Sequence, residues 1–174
     1  MKNTWFFMII VVLVVGYTIY QGQTEKNLEV DQKPQTGFQS PYFELEQLHG
    51  AEKIQLADLQ KPVMINFWAS WCGPCRIEAP DFTEVYEKYQ DEVEFYAINI
   101  TNKDKLENVK SFVEEFTFTF PILLDHDGAV SERYQIFSIP TTFFVNKDGM
   151  IEHRVNGIIS KAELELQLKN LVGR

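Results

Sequence analysis

The thirteen residues from Trp68 to Pro80, W-A-S-W-C-G-P-C-R-I-E-A-P, decide how the rest of the chain is interpreted. They contain both cysteines of the 174-residue sequence, Cys72 and Cys75, with a Gly-Pro pair between them. The run P-V-M-I-N-F-W at 62–68 is almost continuously apolar, which predicts a central strand buried on both faces. An apolar stripe at helical spacing follows at 82–89. Both cysteines therefore lie where a buried strand passes into a helix.

A cysteine at a helix N-terminus is favoured in its thiolate form, because unpaired N–H groups and the positive end of the helix dipole lie there. Pro74 suits the first helical turn, where its missing N–H would have had no partner. Gly73 keeps bulk away from an attacking sulfur. Cys75, one turn further on, is expected to be shielded beneath Cys72. The pattern predicts that Cys72 attacks a partner disulfide and that Cys75 resolves the mixed disulfide.

Other uses of two cysteines fit this pattern poorly. A zinc site normally needs four ligands, of which C-x-x-C supplies two, and the three histidines are scattered at 49, 126 and 153. A purely structural disulfide over so short a loop would restrain little chain entropy. We therefore expect redox exchange and no metal.

The composition argues against some classes of protein. Lys plus Arg number 16 against 25 Asp plus Glu, so the net charge is −9, which argues against binding nucleic acid. The hydrophobic content of 45%, with fourteen phenylalanines, is enough to build a core. Two cysteines are too few for a disulfide-rich scaffold.

The uncharged run of sixteen residues from Trp5 to Tyr20 would extend about 24 Å as a helix, slightly less than a bilayer core of about 30 Å. Its aromatic ends are typical of the membrane interface. A cleaved signal peptide and an uncleaved anchor both fit such a run. Because small residues of the A-x-A type are missing after it, we expect a transmembrane anchor at 1–20.

Charge predicts the orientation of the chain in the membrane, and composition predicts a linker after the anchor. Lys2 and the amino terminus are the only positive charges before the run, which predicts a cytoplasmic N-terminus and an extracytoplasmic domain on a single-pass cell-membrane protein. Residues 21–40 are polar and aperiodic, as in a flexible linker with a reach of roughly 25 Å. Residues 41–174 form the predicted globular domain.

From residue 41 onward, periodicity predicts alternating strands and helices. The predicted strands lie at 42–46, 53–56, 62–68, 93–100, 120–125, 141–146 and 151–155, and the helices around 82–89, 109–116, 129–136 and 164–172. A hairpin, then β-α-β-α-β, then a second hairpin and a helix imply a right-handed parallel core. The predicted fold is α/β, with a mixed central sheet flanked by helices and an N-terminal β-hairpin extension.

Two motifs resemble a known family. The run F-W-A-S-W-C-G-P-C at 67–75 resembles the thioredoxin active site, and S-I-P-T-T-F-F-V at 138–145 resembles its proline loop. Together with F-E-L at 43–45, N-F-W-A-S-W-C-G-P-C-R-I-E-A-P at 66–80 and P-T-T-F-F-V-N-K-D-G at 140–149, they resemble the membrane-anchored TlpA/ResA-like oxidoreductases over residues 41–174. This resemblance implies a thioredoxin-like fold, with Cys72 as the exposed nucleophile and Cys75 as its buried partner.

The resemblance also implies a cis bond between Ile139 and Pro140, although only about 5–6% of X-Pro bonds are cis. It would turn the Ile139 backbone towards a bound peptide, which can pair as a short extra strand. Trp71 is expected to form a flat exposed contact surface. The predicted substrate-binding residues are thus Trp71, Gly73, Pro74, Ile139 and Pro140.

Glu78 is the third predicted catalytic residue. Thioredoxins carry a buried aspartate six residues before the first cysteine, and this chain has Asn66 there. An acid reappears at Glu78, three residues after Cys75, as in ResA-like proteins. From the residues alone, a solvated helix glutamate and a functional acid are both open. The resemblance favours an acid that raises nearby thiol pKa values and relays a proton.

The Gly-Pro pair between the cysteines resembles reducing thioredoxins, not the oxidising Cys-Pro-His-Cys type. We therefore expect a reductase of protein disulfides whose redox group is the Cys72–Cys75 disulfide, without a cofactor. The family implies a transmembrane electron donor of the CcdA/DsbD kind and, as the leading substrate, apocytochrome c. A thiol peroxidase and a non-catalytic peptide-binding or chaperone module stay open as alternatives.

Overall fold

The computed structural model of the chain describes residues 8–17, 32–57 and 59–173. The chain divides into two compact units, one ending at Gln32 and the other beginning at Lys33. In the first unit, residues 8–17 form a helix, α1, in which every residue is exposed. Within the described ranges, no helix combines the length and apolar character needed to cross a membrane.

The predicted anchor and linker are only partly covered. Residues 1–7 and 18–20 of the anchor, and 21–31 of the linker, lie outside the described residues. Residues 33–40, which their composition predicts as linker, instead belong to the second unit. The backbone N–H groups of Gly37 and Ser40 donate to the carbonyls of Ile151 and Gly149, each over 2.8 Å. The second unit therefore begins before residue 41. Hydrophobic periodicity does not reveal this start, because backbone pairing leaves no trace in it.

A mixed sheet of seven strands forms the centre of the second unit. The strands are β1 (Glu44–Gln47), β2 (Ile54–Gln55), β3 (Val63–Trp68), β4 (Glu94–Asn99), β5 (Ile122–Leu124), β6 (Thr141–Val145) and β7 (Ile151–Asn156). Their order is β2-β1-β5-β4-β3-β6-β7. Strands β3, β4 and β5 run parallel and the remaining neighbours antiparallel, which confirms the predicted mixed sheet.

Helices connect these strands as the periodicity predicts. They are α2 (Gly73–Tyr89), α3 (Leu106–Glu115), α4 (Ala129–Arg133) and α5 (Lys161–Val172), with a short 3₁₀ helix at Thr101–Lys103. The apolar faces of α2, α3 and α5 pack in one cluster with Met64 and Trp68. The other sheet face packs Ile65 and Phe67 with residues of β1 and α4. Successive side chains of β3 therefore enter opposite cores, as strand geometry requires.

The predicted N-terminal hairpin is present, but its docking site is not apparent from the sequence. Strand β1 pairs with β2 and also, antiparallel, with β5, so that the hairpin extends the sheet on the side away from β3. All six residues of β3 are buried as a result of its central position. The cysteines thus follow a strand that is buried along its whole length.

Candidate active site

Cys72 lies in the turn between β3 and α2, where it is the N-cap of the helix. Its backbone is extended, with φ −79° and ψ 107°, and its Sγ accepts a hydrogen bond from the Cys75 N–H over 3.2 Å. Pro74 lies in the first turn, where no backbone donor is lost. An N–H aimed at Sγ, together with the helix dipole, stabilises negative charge on this sulfur.

The structure shows the oxidised form, in which Cys72 and Cys75 are joined by a disulfide. Their exposed fractions are 4% and 3%, so the expectation of an exposed Cys72 beside a buried Cys75 does not hold for this form. The Sγ of Cys72 is bonded to the inner sulfur and accepts the Cys75 N–H, which keeps it within the apolar cluster that also contains Cys75. Sequence position alone does not show that Cys72 is buried in the disulfide form.

Three of the predicted substrate-binding residues are exposed next to the buried disulfide. Gly73 and Pro74 are exposed, and Trp71 is 59% exposed. The indole N–H of Trp71 donates to the Lys103 carbonyl over 2.8 Å, so this exposed ring is held in place. A tryptophan with a free face and a fixed edge is suited to contact with a protein partner.

The peptide bond between Ile139 and Pro140 is cis, as predicted. Ile139 packs against the apolar cluster that contains both cysteines, while Pro140 itself is buried. The Pro140 carbonyl accepts the Gly157 N–H over 2.8 Å, which joins the proline loop to the segment after β7. The structure therefore brings this loop and the disulfide to the same apolar cluster.

Glu78 is buried inside the domain, so the alternative of a solvated helix glutamate is wrong. Its Oε1 accepts from the Asn66 side-chain amide over 3.3 Å, and its Oε2 accepts from the Ile159 N–H over 3.1 Å. Burial raises the pKa of Glu78 from 4.5 to about 7, with a smaller contribution from Asp81, against the lowering effect of the two hydrogen bonds. The carboxyl therefore exchanges its proton near neutral pH.

Asn66 connects this acid to the strand beside it. Its amide also donates to Thr142 Oγ1 over 3.0 Å, across the β3–β6 pair in which these two residues face each other. Asn66 itself cannot titrate, so Glu78 is the acid that this network presents. Sequence reasoning missed Thr142, whose only signal was its place two residues after Pro140.

A second polar network holds the residues just before Cys72 and was also missed. Asp104 accepts hydrogen bonds from both the N–H and the hydroxyl of Ser70, two residues before Cys72. Its signal in the sequence is weak, because T-N-K-D at 101–104 resembles an ordinary polar turn. In the described part of the chain, no cluster of three or more His, Cys, Asp or Glu side chains could hold a metal ion.

A disulfide at a helix N-terminus, beside a cis-proline loop on a mixed sheet, defines the class of thioredoxin-fold thiol-disulfide oxidoreductases. The AhpC/TSA family model matches residues 36–154. The chain is 35% identical over 176 aligned positions to the thiol-disulfide oxidoreductase ResA of Bacillus cereus, covering 98% of each protein. It is 36% identical to the thioredoxin-like protein YneN of Bacillus subtilis over 173 positions, covering 97% of this chain and 98% of that one.

Two solved structures are also similar to this chain. StoA from Bacillus subtilis superposes with a TM-score of 0.66 at 31% identity, covering 73% of this chain and 96% of that one. A putative thiol:disulfide interchange protein DsbE from Chlorobium tepidum gives 0.72 at 26% identity, with 80% and 99% coverage. The chain belongs to the AhpC/TSA family and, within it, to the ResA-like thiol-disulfide oxidoreductases.

Proposed function

We propose that the protein is a reductant of protein disulfides that works on the extracytoplasmic side of the cell membrane. The observation that carries the proposal is the hydrogen bond from the Cys75 N–H to Cys72 Sγ at the start of α2. A sulfur held this way is both a stabilised thiolate and a good leaving group, which is what repeated exchange requires.

The exchange has two balanced steps. The Cys72 thiolate attacks one sulfur of a partner disulfide, forms a mixed disulfide and releases the other partner sulfur as a thiolate. The Cys75 thiolate then attacks Cys72 Sγ, which forms the Cys72–Cys75 disulfide and releases the second partner thiolate. Two electrons pass to the partner, and each released thiolate takes up a proton.

Glu78 is suited to accept the proton that Cys75 must lose before the second step. It lies one helical turn beyond Cys75, is buried with it, and has a pKa raised to about 7 by that burial. A base with a pKa near the working pH transfers protons most effectively. We therefore assign Glu78 the role of proton acceptor for Cys75.

The direction of electron flow follows from the Gly-Pro pair, which resembles reducing thioredoxins. We therefore expect a dithiol that donates electrons, unlike a strong oxidant with a potential of about −120 mV. A reductase in an oxidising compartment needs electrons from inside the cell, so we propose a transmembrane donor of the CcdA/DsbD kind. Apocytochrome c is the proposed substrate, in line with the ResA-like family.

The location rests on the N-terminal segment. Residues 8–17 are helical, uncharged and exposed throughout. Exposed apolar residues on all sides of a helix are favourable in lipid and unfavourable in water. We therefore propose that the segment at 1–20 anchors the domain to the membrane.

Insulin reduction tests the proposed activity. The full chain in detergent, with dithiothreitol as electron source, is expected to accelerate the precipitation of insulin chains, while Cys72→Ser and Cys75→Ser are each expected to abolish turnover. A matched assay with hydrogen peroxide separates the peroxidase alternative. Insulin reduction that persists in a variant with both Cys72→Ser and Cys75→Ser would contradict the proposal. Faster turnover of peroxide than of insulin would contradict it as well.

A further inference from the structure

Four hydrogen bonds converge on the carboxylate of Asp104, which follows the 3₁₀ helix after β4. The Ser70 N–H donates to Oδ2 over 2.6 Å, and the Ser70 hydroxyl donates to Oδ1 over 2.6 Å. The Asn99 side-chain amide donates to Oδ2 over 3.0 Å, and the Lys105 N–H donates to Oδ1 over 2.8 Å. Each carboxylate oxygen thus accepts two donors.

These bonds hold the loop that leads into the active-site cysteine. Ser70 and Trp71 are the two residues directly before Cys72. Asp104 binds Ser70, and the neighbouring Lys103 carbonyl accepts the indole N–H of Trp71. Two consecutive residues after β4 therefore fix two consecutive residues after β3.

The segment that carries Asp104 is itself firmly attached to the sheet. Asn99, which ends β4, is fully buried. Its Oδ1 accepts the Thr101 hydroxyl over 3.0 Å while its amide donates to Asp104. The Asp104 N–H donates to the Thr101 carbonyl over 3.2 Å. Through these hydrogen bonds, Asp104 connects the loop before Cys72 to the end of β4.

We propose that Asp104 is a positioning residue for exchange with protein disulfides, which acts by holding the Trp71 ring in place beside Cys72. The proposal deepens the proposed function and rests on it. A contact surface fixed before binding avoids the entropy cost of ordering it in the complex. The effect therefore falls on substrates large enough to touch Trp71, and not on the chemistry of the sulfur atoms.

Asp104→Asn is the informative substitution because all four partners are donors. An asparagine keeps the size of the side chain but has one acceptor oxygen. In one orientation its NH₂ group would face the Asn99 amide and the Ser70 N–H, donor against donor; in the other it would face the Lys105 N–H, while the Ser70 hydroxyl would have to reverse and accept. At least one N–H loses its acceptor in either orientation, which weakens the attachment of the loop.

The test measures how fast the full chain, in detergent, reduces two different disulfide substrates. For insulin, Asp104→Asn is expected to lower kcat/KM about five- to tenfold through a higher KM, the effect of losing one or two hydrogen bonds. For the small aromatic disulfide of Ellman's reagent, the rate is expected to stay within about twofold, because that substrate needs no contact with Trp71. Asp127→Asn is the matched control, since the Asp127 carboxylate accepts the Ala129 N–H on an exposed turn.

Equal falls with both disulfides, or no change with insulin, would overturn the role of Asp104. Ser70→Ala, which removes one of the four bonds, is expected to show the same split on a smaller scale and serves as the test if Asp104→Asn does not fold. Absence of this split in Ser70→Ala then overturns the role. Wild-type protein inactive with both disulfides would overturn the proposed function itself, and this role with it.

Discussion

Asn66 donates its side-chain amide to Oε1 of Glu78 over 3.3 Å, and this contact joins the central strand to the helix that carries both cysteines. The other carboxylate oxygen accepts the Ile159 N–H, so the acid also binds the segment before α5. Burial of this network raises the pKa of Glu78 from 4.5 to about 7. The stability and the thiol chemistry of the domain should therefore both respond to pH through one side chain.

The first prediction concerns stability. The pKa of Glu78 is raised from 4.5 to about 7 on folding, so its stabilising effect is complete below about pH 4.5 and is lost as the pH rises through 7. Between pH 5 and 8 the oxidised wild type should lose on the order of 2–3 kcal/mol from this group. Urea unfolding at both pH values measures the loss.

Two variants give this measurement its controls. Glu78→Gln removes the titrating group and should flatten the change in unfolding free energy between the two pH values. Glu87→Gln, on an exposed position of the same helix, should keep the wild-type change. Parallel pH profiles for wild type and Glu78→Gln would show that another group carries the dependence.

The second prediction concerns the start of the domain. Tyr134 is fully buried, and its hydroxyl donates to the Pro41 carbonyl over 2.6 Å and contacts Ser40 Oγ at 2.8 Å. Tyr134→Phe leaves these buried polar groups short of a partner and should lower the unfolding free energy by about 1–3 kcal/mol. Tyr42→Phe, which removes an exposed contact with Gln55, should change it by less than about 0.5 kcal/mol. If Tyr134→Phe lowers the unfolding free energy no more than Tyr42→Phe does, the Tyr134 hydroxyl does not stabilise the fold.

The alternation of elements could be predicted because the periodicities of helices and strands are local. The run at 62–68 is apolar without interruption because β3 is buried on both faces. The pair Cys72 and Cys75 is informative for a similar reason, since its chemistry depends on one strand-to-helix turn.

The features that could not be predicted depend on contacts between distant residues. The docking of β1 on β5 is a choice between sheet edges that no local pattern encodes. Asp104 reaches Ser70 across a separation of 34 residues, and its local sequence resembles a plain turn. The depth of Glu78 is set by Asn66 and Ile159, which belong to other elements.

The third prediction concerns the membrane. A fusion of alkaline phosphatase after residue 32, where the second unit would begin, should be enzymatically active and should sediment with membranes, because residues 1–20 are expected to anchor the chain and direct the fused enzyme across the membrane. Replacing Val12 and Leu13 with arginine should release the fusion from the membrane or block its export. Active phosphatase in the soluble extracellular fraction would instead show that the segment is cleaved.

The fourth prediction concerns the order of attack. In the reduced protein Cys72 should be alkylated before Cys75, because it caps α2 and receives the N–H that stabilises a thiolate. Brief iodoacetamide treatment followed by mass spectrometry of the peptides locates the label. A Cys75→Ala variant should accordingly trap protein partners as mixed disulfides at Cys72. Preferential labelling of Cys75 would reverse the proposed roles.

The last prediction returns to Glu78 and the sulfur pair. A carboxylate buried one turn from Cys75 disfavours a second negative charge nearby, and the groups titrate as a coupled set. Glu78→Gln keeps the shape and removes the charge, so the alkylation-versus-pH curve of the reduced pair should move to lower pH. Exchange with insulin should nevertheless slow by about 10²-fold or less, since Cys75 has lost its proton acceptor. Glu87→Gln should leave both the curve and the rate unchanged. Superimposable curves for wild type and Glu78→Gln would reduce Glu78 to a buried structural acid, because its charge would then not reach the sulfurs.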